Sequence, residues 1–527
     1  MDITLTPIRF LERTLKLFGP KTAVVCEDTR LTYLEYGRRT FQLANSLSSL
    51  GIRKEDRVSY LGYNCHRLLE CFYGVPLIGA IALPLNVRLG PSDFEYIIRE
   101  AEPRILFIDP DLLPKIGPIR HNIPSVERFI LLESAADAPS WTDGTYEELL
   151  AGAPSNPPYK VGEYPFSEDD IAEIFYTSGT TGSPKGVILT HRNLYLHAVE
   201  AMAAMPVRET DVQLHLIPLF HVNGWGTPHY LTAKGGTHII LKKFDPVSAL
   251  ELVQRERVTR FFIVPTMVND ILAVPRFGDY DVSSVKDILI GGAPPPSGMC
   301  ERTERAFPNA VVHGGFGMTE TCPLIAYPEL PCDLSPDVFK HRCHETWGFP
   351  LIGVEFRVVD EQGHDLPWDG KSIGELLVRG DMVMKGYYKK PEETEETLKG
   401  GWYHSGDLVV IEPDGSLIIK DRLKDIIISG GENISSLEIE QVLYSHPDIL
   451  ECAVVAKPDS RWGEIPKAFI VPRAGRHLTS EEVIAFTRDR LAHFKAPKDV
   501  EVLAELPKGG TGKILKSVLR MKERGSQ

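Results

Sequence analysis

A chain of 527 residues with 43% hydrophobic and 25% charged side chains is too long for one hydrophobic core and ordinary enough in composition to fold as two or more globular domains. Acidic residues outnumber basic ones by 72 to 58, a formal charge of -14. That balance argues against general binding to nucleic acid or anionic membrane, so an anionic ligand must meet local positive groups.

Cysteines at 26, 65, 71, 300, 322, 332, 343 and 452 make no CxxC pair, which suits a reducing compartment without disulfides. Cys332, His341, Cys343 and His344 fit no common zinc spacing and read as a polar loop. The opening MDITLTPIRFLERTLKLFG interleaves charge with apolar periodicity, unlike a secretory signal. The longest uncharged stretch, Cys71 to Val87, is broken by Pro76 and Pro84; it reads as a buried helix entering a buried strand rather than a membrane span. The ending Arg524-Gly525-Ser526-Gln527 lacks the peroxisomal tripeptide, and cytoplasm is the default location.

Residues 1 to about 150 alternate helical periodicity with short apolar strands at Arg57 to Leu61, Ile81 to Leu85, Ile105 to Ile108 and Phe129 to Leu132, a pattern of α/β layering. From Ser134 to Asp170 the composition turns to Ala, Pro, Ser, Asp and Gly, a surface excursion. A β-branched run from Ile171 to Tyr176 and another from Val187 to Leu189 then flank a loop of hydroxyls and glycines ending at Lys185, predicting a loop between two strands. Its glycines let backbone N–H groups turn toward an anion, and Lys185 adds charge. Lys185 lies between Pro184 and Gly186, so the loop is not a Walker motif.

Beyond it, Thr190 to Met205 has helical spacing, and strands recur at Gln213 to Ile217, His238 to Leu241, Phe261 to Val264 and Asp287 to Ile290. Asp245 followed by Pro246 predicts a capped helix start. Strands dominate from Ile352 to Lys420, with a Pro413-Asp414-Gly415 turn. In the last hundred residues, Ser435 with Glu438 and Thr479 with Glu482 carry capping-box spacing, the helices running through Leu443 and to near Leu491.

The string YTSGTTGSPKGV from Tyr176 to Val187 resembles the signature of the adenylate-forming superfamily of acyl- and aryl-CoA synthetases, firefly-type luciferases and peptide-synthetase adenylation domains. The resemblance extends over nearly the whole chain. It implies coupling of a carboxylate to AMP with MgATP, then acyl transfer to a thiol. Thr177, Ser178, Gly179, Thr180, Thr181, Gly182 and Lys185 would hold ATP phosphates. Gly292, Ala293 and Pro294, in a Gly-Gly-Ala-Pro segment, would lie against adenine. In Gly315-Phe316-Gly317-Met318-Thr319-Glu320, Phe316 would stack on adenine, Thr319 contact the α-phosphate and Glu320 ligand magnesium. Asp407 would accept from the ribose hydroxyls, Arg422 lie near ribose and phosphate, and Lys424 act as hinge. Lys513, ending a glycine-rich loop, would bridge carboxylate and α-phosphate during adenylation.

Phe220-His221-Val222-Asn223-Gly224-Trp225 looks most like fatty acyl-CoA synthetases, where the Trp gates a tunnel. Phe220, His221, Val222, Trp225, Gly314 and Gly315 would form the acyl pocket, with Val264 to Met267 in an apolar channel. His221 is also counted with Lys185, Thr319, Glu320 and Lys513 among the catalytic candidates. Ser429, Gly430, Gly431, Glu432, Trp462 and Phe494 match positions that meet CoA in relatives.

The expected architecture is α/β: a large N-terminal domain, residues 1–420, of two α/β layers plus a β-rich subdomain; a hinge at 421–424; and a small mobile α+β domain, 425–527. The expected activity is an acid:CoA ligase for a medium- or long-chain fatty acid, using ATP, CoA and magnesium. An aryl or short branched acid, a carrier-protein thiol as acceptor, a luciferase-like oxidation and a non-catalytic nucleotide-binding regulator are the alternatives. Relatives imply a homodimer as one assembly.

Overall fold

The computed structural model describes residues 3–160, 162–177, 184–293, 295, 298–328, 344, 346–509 and 514–524. Two seven-stranded sheets form the body. In the first, Thr22–Cys26, Thr237–Ile240, Val212–His215, Arg260–Ile263, Asp287–Ile290 and Val311–Gly314 run parallel in that spatial order, with Thr29–Thr32 antiparallel at one edge. The second runs Gly386–Tyr387, Lys185–Thr190, Ile171–Thr177, Ile81–Pro84, Arg57–Leu61, Ile105–Ile108 and Arg128–Leu131. Its last five strands are parallel and its first three antiparallel. Parallel strands are covered on both faces, so they appear in sequence as unbroken apolar runs; Ile105 to Ile108 are all buried.

The predicted strands at 57–61, 105–108 and 287–290 are found with those bounds, and the others shift by one or two residues. Cys71 to Val87 spans the end of the helix His66–Gly74 and the buried strand Ile81–Pro84. No helix among the described residues is long and apolar enough to cross a membrane. Four antiparallel strands, Glu355–Val359, Gly374–Arg379, Tyr403–Ile411 and Leu417–Arg422, make the β-rich subdomain. After the single turn Leu423–Asp425 comes a small domain. Its sheet combines Glu432–Ile434, Ile427–Ser429, Gly463–Pro472, Ile449–Asp459 and Asp499–Val502, around a separate core that includes Ile427, Ile439, Val454 and Ile470.

Local chemistry accounts for most helix starts. Asp245 accepts from Ser248 N at 2.7 Å, and Thr190 caps the helix His191–Ala204 with a reciprocal bond from Asn193. Thr479 and Glu482 form the predicted box. Ser435 and Glu438 do not complete theirs: Ser435 accepts from Glu438 N at 3.1 Å, but the Glu438 carboxylate turns to Lys495, 2.8 Å away. A charged partner distant in sequence outcompetes the local backbone donor.

The helix His191–Ala204 also buries Glu200 where the β-rich subdomain meets the body. Gly353, at φ +93°, lies so close that a Cβ there would sit 2.7 Å from Glu200 Oε1, and Oε2 has no hydrogen-bond partner among the described residues. Burial, with Asp381 adding repulsion, pushes this carboxyl up to about 8 from 4.5. A raised folded pKa gives stability that is full below about 4.5 and lost progressively until pH passes about 8. Melting temperatures of Glu200→Gln and the parent should therefore diverge in favour of the variant from pH 5 to 8 and run parallel above; a constant difference would contradict the assignment.

Candidate active site

A cavity of about 670 Å³ lies between the large domain and the small one. Its phosphate-side wall begins at the hairpin of Ile171–Thr177 and Lys185–Thr190, where Thr177 pairs directly with Lys185. Both residues line the cavity. The hairpin tip, with Ser178, Gly179, Thr180, Thr181 and Gly182, lies outside the described residues. The Lys185 ammonium sits 5.1 Å from the centre of the Tyr387 ring, a cation–π arrangement. The Tyr387 hydroxyl donates to Glu320 Oε1 at 3.1 Å. Tyr387 is placed there because its short strand pairs with the hairpin, opposite Val187. Burial raises the Glu320 carboxyl, opposed by hydrogen bonds from its own backbone and from Tyr387 and by the charge of Arg422. Thr319 stands beside it on the same wall.

Asp407 and Arg422 face each other on adjacent antiparallel strands, with Arg422 Nε 3.0 Å from Asp407 Oδ1. The carboxylate is buried and the guanidinium partly exposed toward the cavity. Among the described residues no group of three or more His, Cys, Asp or Glu is arranged to hold a metal. Magnesium carried by a nucleotide keeps waters and phosphate oxygens and needs few protein carboxylates; Glu320, on the cavity wall, is the carboxylate that would hold it. Of the residues weighed for zinc, only His344 is described, and it approaches Glu301 at 3.5 Å.

Gly292 lines the cavity at φ +76°, and Pro294 lies outside the described residues. The Trp225 indole packs against this segment: a Cβ on Gly291 would be 3.0 Å from it, and on Gly292 3.4 Å. Ala293 is not on the cavity wall. Gly315 and Gly317 line the cavity, whereas Phe316 is buried edge-on to Trp347, ring centres 6.3 Å apart. The ring is therefore not on the cavity wall, where the resemblance expects it against adenine. Gly314 backs onto Trp347 and Phe220 joins the core below the second sheet; neither reaches the cavity, nor does the segment Val264 to Met267.

The part of the wall that the resemblance expects to receive the acyl group, here called the acyl side, is formed by His221, Val222 and Trp225 with His197, Met205, Tyr230, Phe262, Leu289 and Leu324. Trp225 is presented by an unusual turn. Val222, Asn223, Gly224, Trp225 and Gly226 all have positive φ, from 37° to 76°, and left-handed backbone costs about 1–3 kcal/mol at each non-glycine position. Buried Asn223 fastens the turn: its Oδ1 accepts from Gly226 N at 2.9 Å and its Nδ2 donates to Glu173 Oε2 at 2.7 Å. Glu173, fully buried, also meets His229 Nε2 at 3.2 Å.

The small domain meets the cavity through Lys508, Gly509 and Leu515. Arg88 of the large domain donates to Gly509 O at 2.6 Å, and an antiparallel bridge from Lys508 to Ile514 closes the loop whose members 510–513, Lys513 among them, lie outside the described residues. Lys424, in the turn between the sheets, also borders the cavity; burial lowers its pKa. The proposed CoA residues are elsewhere. Ser429, Gly430, Gly431 and Glu432 form a hairpin whose Gly430 N donates to Trp462 O at 2.8 Å. Lys498 sits 4.4 Å over the Trp462 ring. Trp462 and Phe494 are 40% and 44% exposed, and none of the six lines the cavity.

Tyr387, Tyr230, Phe262, Met205, His197, Glu173 and Arg88 were not singled out from sequence. Each sits in an element that only tertiary packing brings to the site.

Comparison with known proteins agrees with this geometry. A family model described as AMP-binding enzyme matches residues 11–388, and one for the AMP-binding enzyme C-terminal domain matches 438–513. The chain is 36% identical to 4-hydroxybutyrate–CoA ligase 2 of Metallosphaera sedula, covering 98% of this chain and 94% of that protein. It is also 36% identical to 2-methylpropanoate–CoA ligase CCL4 of Humulus lupulus, covering 99% and 95%. The crystal structure of the anthranilate CoA ligase AuaEII with anthranoyl-AMP superposes with a TM-score of 0.90 at 26% identity, covering 100% of this chain and 98% of that one. With family models matched in both halves and relatives similar over nearly its whole length, the chain belongs to the AMP-binding enzyme family, as an acid–CoA ligase.

Proposed function

We propose that the enzyme activates a compact carboxylic acid, aryl or short and branched, through an acyl-adenylate. In the first step a carboxylate oxygen attacks the α-phosphorus of MgATP, the bond to the β-phosphate oxygen breaks, and pyrophosphate leaves. Lys185 and Thr177 attend the leaving phosphates, Thr319 the α-phosphate, Glu320 the magnesium that accompanies ATP, and Asp407 with Arg422 the ribose; Lys513 joins carboxylate to α-phosphate. Oriented cations and donors at developing negative charge are the main source of such catalysis. In the second step the CoA thiol sulfur attacks the acyl carbon, losing its proton, and AMP departs with the former carboxylate oxygen. The exposed hairpin at Ser429 to Glu432, with Trp462 and Phe494, would reach the site after rotation about Lys424.

The observation that carries this reading is the convergence of Lys185, Tyr387 and Glu320 with Arg422 on a cavity that continues into an aromatic acyl side. The acyl side is lined by packed aromatic rings, Trp225, Phe262 and Tyr230, with ring centres 6.1 and 6.5 Å apart, a surface that suits a compact or aryl acid. The relatives' names, 4-hydroxybutyrate, 2-methylpropanoate and anthranilate, fall in that size class. Acid-dependent ATP–pyrophosphate exchange without CoA, run from butanoate to hexadecanoate and with benzoate and cinnamate, tests it. Compact acids should lead; a maximum at twelve or more carbons would contradict the size assignment.

A further inference from the structure

Beneath the aromatic wall lies a row of buried polar groups that the reaction scheme does not use. Gln213, Arg260 and Asp287 are register partners on three neighbouring parallel strands, so their side chains share one face of the sheet. Phe262 and Leu289, which line the cavity, lie two residues further along the same strands and on the same face. Two residues span about 7 Å, so the polar row forms the layer directly beneath the acyl side. Tyr230, on the helix Thr227–Lys234, is also part of the cavity wall.

This layer is buried yet unsatisfied. Tyr230, Gln213 and Arg260 are 0%, 1% and 2% exposed. Gln213 Oε1 and Arg260 Nε lack a hydrogen-bond partner among the described residues, and the Tyr230 hydroxyl has at most a weak bond from the Gln213 side chain, which leaves its proton free to be donated. Buried polar atoms without partners are costly, and native proteins keep few. The guanidinium charge is already answered by Asp287 at 2.6 Å and Asp211 at 3.6 Å, so the layer does not call for a second carboxylate. Burial raises the pKa of Tyr230 and keeps it a neutral phenol, able to donate or accept. A ligand hydroxyl, itself donor and acceptor, complements that set.

We infer that Tyr230, with Gln213 behind it, forms a distal subsite that selects acids bearing a hydroxyl at the end remote from the carboxylate. This rests on the adenylating reading of the cavity and specifies the acid within it. A site built to bond a hydroxyl discriminates against the analogue lacking it, because its own polar groups are then left unpaired.

The test is kcat/KM for acyl-CoA formation with matched pairs: 4-hydroxybutanoate and butanoate, 6-hydroxyhexanoate and hexanoate, 4-hydroxycinnamate and cinnamate. At least one hydroxylated member should lead its partner by about tenfold or more, the worth of one buried hydrogen bond. Tyr230→Phe should erase that ratio while leaving KM for ATP unchanged, which a merely structural role would not do. The comparison within the parent enzyme stands whether or not the variant folds. No hydroxyl preference in any pair, or a preference that survives in Tyr230→Phe, overturns the subsite while leaving the ligase reading intact; no acyl-CoA from any acid overturns both.

Discussion

Lys513→Ala should abolish acyl-adenylate formation yet leave thioester formation from supplied acyl-AMP largely intact. The lysine ends the glycine-rich loop that the Lys508–Ile514 bridge closes at the cavity edge and that Arg88 holds through Gly509 O. In the proposed adenylation step its charge would meet both the attacking carboxylate and the α-phosphate; in the thioester step that task would be over. Removing one positioned donor or cation at a developing charge costs about 3 kcal/mol, a hundredfold or more in rate. Pyrophosphate exchange and single-turnover acyl transfer from synthetic acyl-AMP measure the two steps separately. Equal losses in both would refute a step-specific role.

The second large effect is expected at Asn223→Ala. Val222, Asn223 and Trp225 each occupy left-handed backbone, and nothing local favours this for a β-branched or indole side chain. The turn is held by the two Asn223 bonds, to Gly226 N and to Glu173. Truncation leaves the buried Glu173 carboxyl oxygen without its amide donor, at about 1–3 kcal/mol, and leaves Gly226 N only its longer bond to Val222 O at 3.3 Å, so the turn should relax and withdraw Trp225 from the cavity. The protein should lose about 3 kcal/mol of stability, and kcat/KM for the acid should fall by about tenfold or more. KM for ATP should stay within about twofold of the parent, since the strand that carries Glu173 is held along its length by backbone pairing with Lys185–Thr190. An acid efficiency equal to the parent's in a destabilised variant would show that the turn supports the fold without shaping the pocket.

Much of this was legible in the sequence, for physical reasons. The strands 57–61, 105–108 and 287–290 could be read because parallel strands buried on both faces need uninterrupted apolar residues. Asp245 and Thr479 announced helix starts because a side-chain oxygen three residues before a backbone donor acts locally. The phosphate and ribose motifs carried their chemistry in adjacent residues, and the structure brings Thr177, Lys185, Thr319, Glu320 and Arg422 to one cavity.

What could not be read depends on distant partners. Glu438 abandons its cap for Lys495, 57 positions away. Tyr387 reaches Lys185 and Glu320 only because a two-residue strand pairs with the phosphate hairpin. The polar layer beneath the acyl side arises from the register of three strands that are far apart in sequence, and a lone Gln, Arg or Tyr in each gave no sign of it.

The most direct test of the account follows oxygen. A turned-over acid labelled with ¹⁸O in its carboxylate is incubated with unlabelled ATP, magnesium and CoA, and the products are read by mass spectrometry. If the carboxylate attacks the α-phosphorus and AMP leaves from the acyl carbon, one labelled oxygen must appear in AMP for every acyl-CoA formed, with pyrophosphate unlabelled. Label in inorganic phosphate with ADP as the nucleotide product, or acyl-CoA formed with unlabelled AMP, would contradict the acyl-adenylate route.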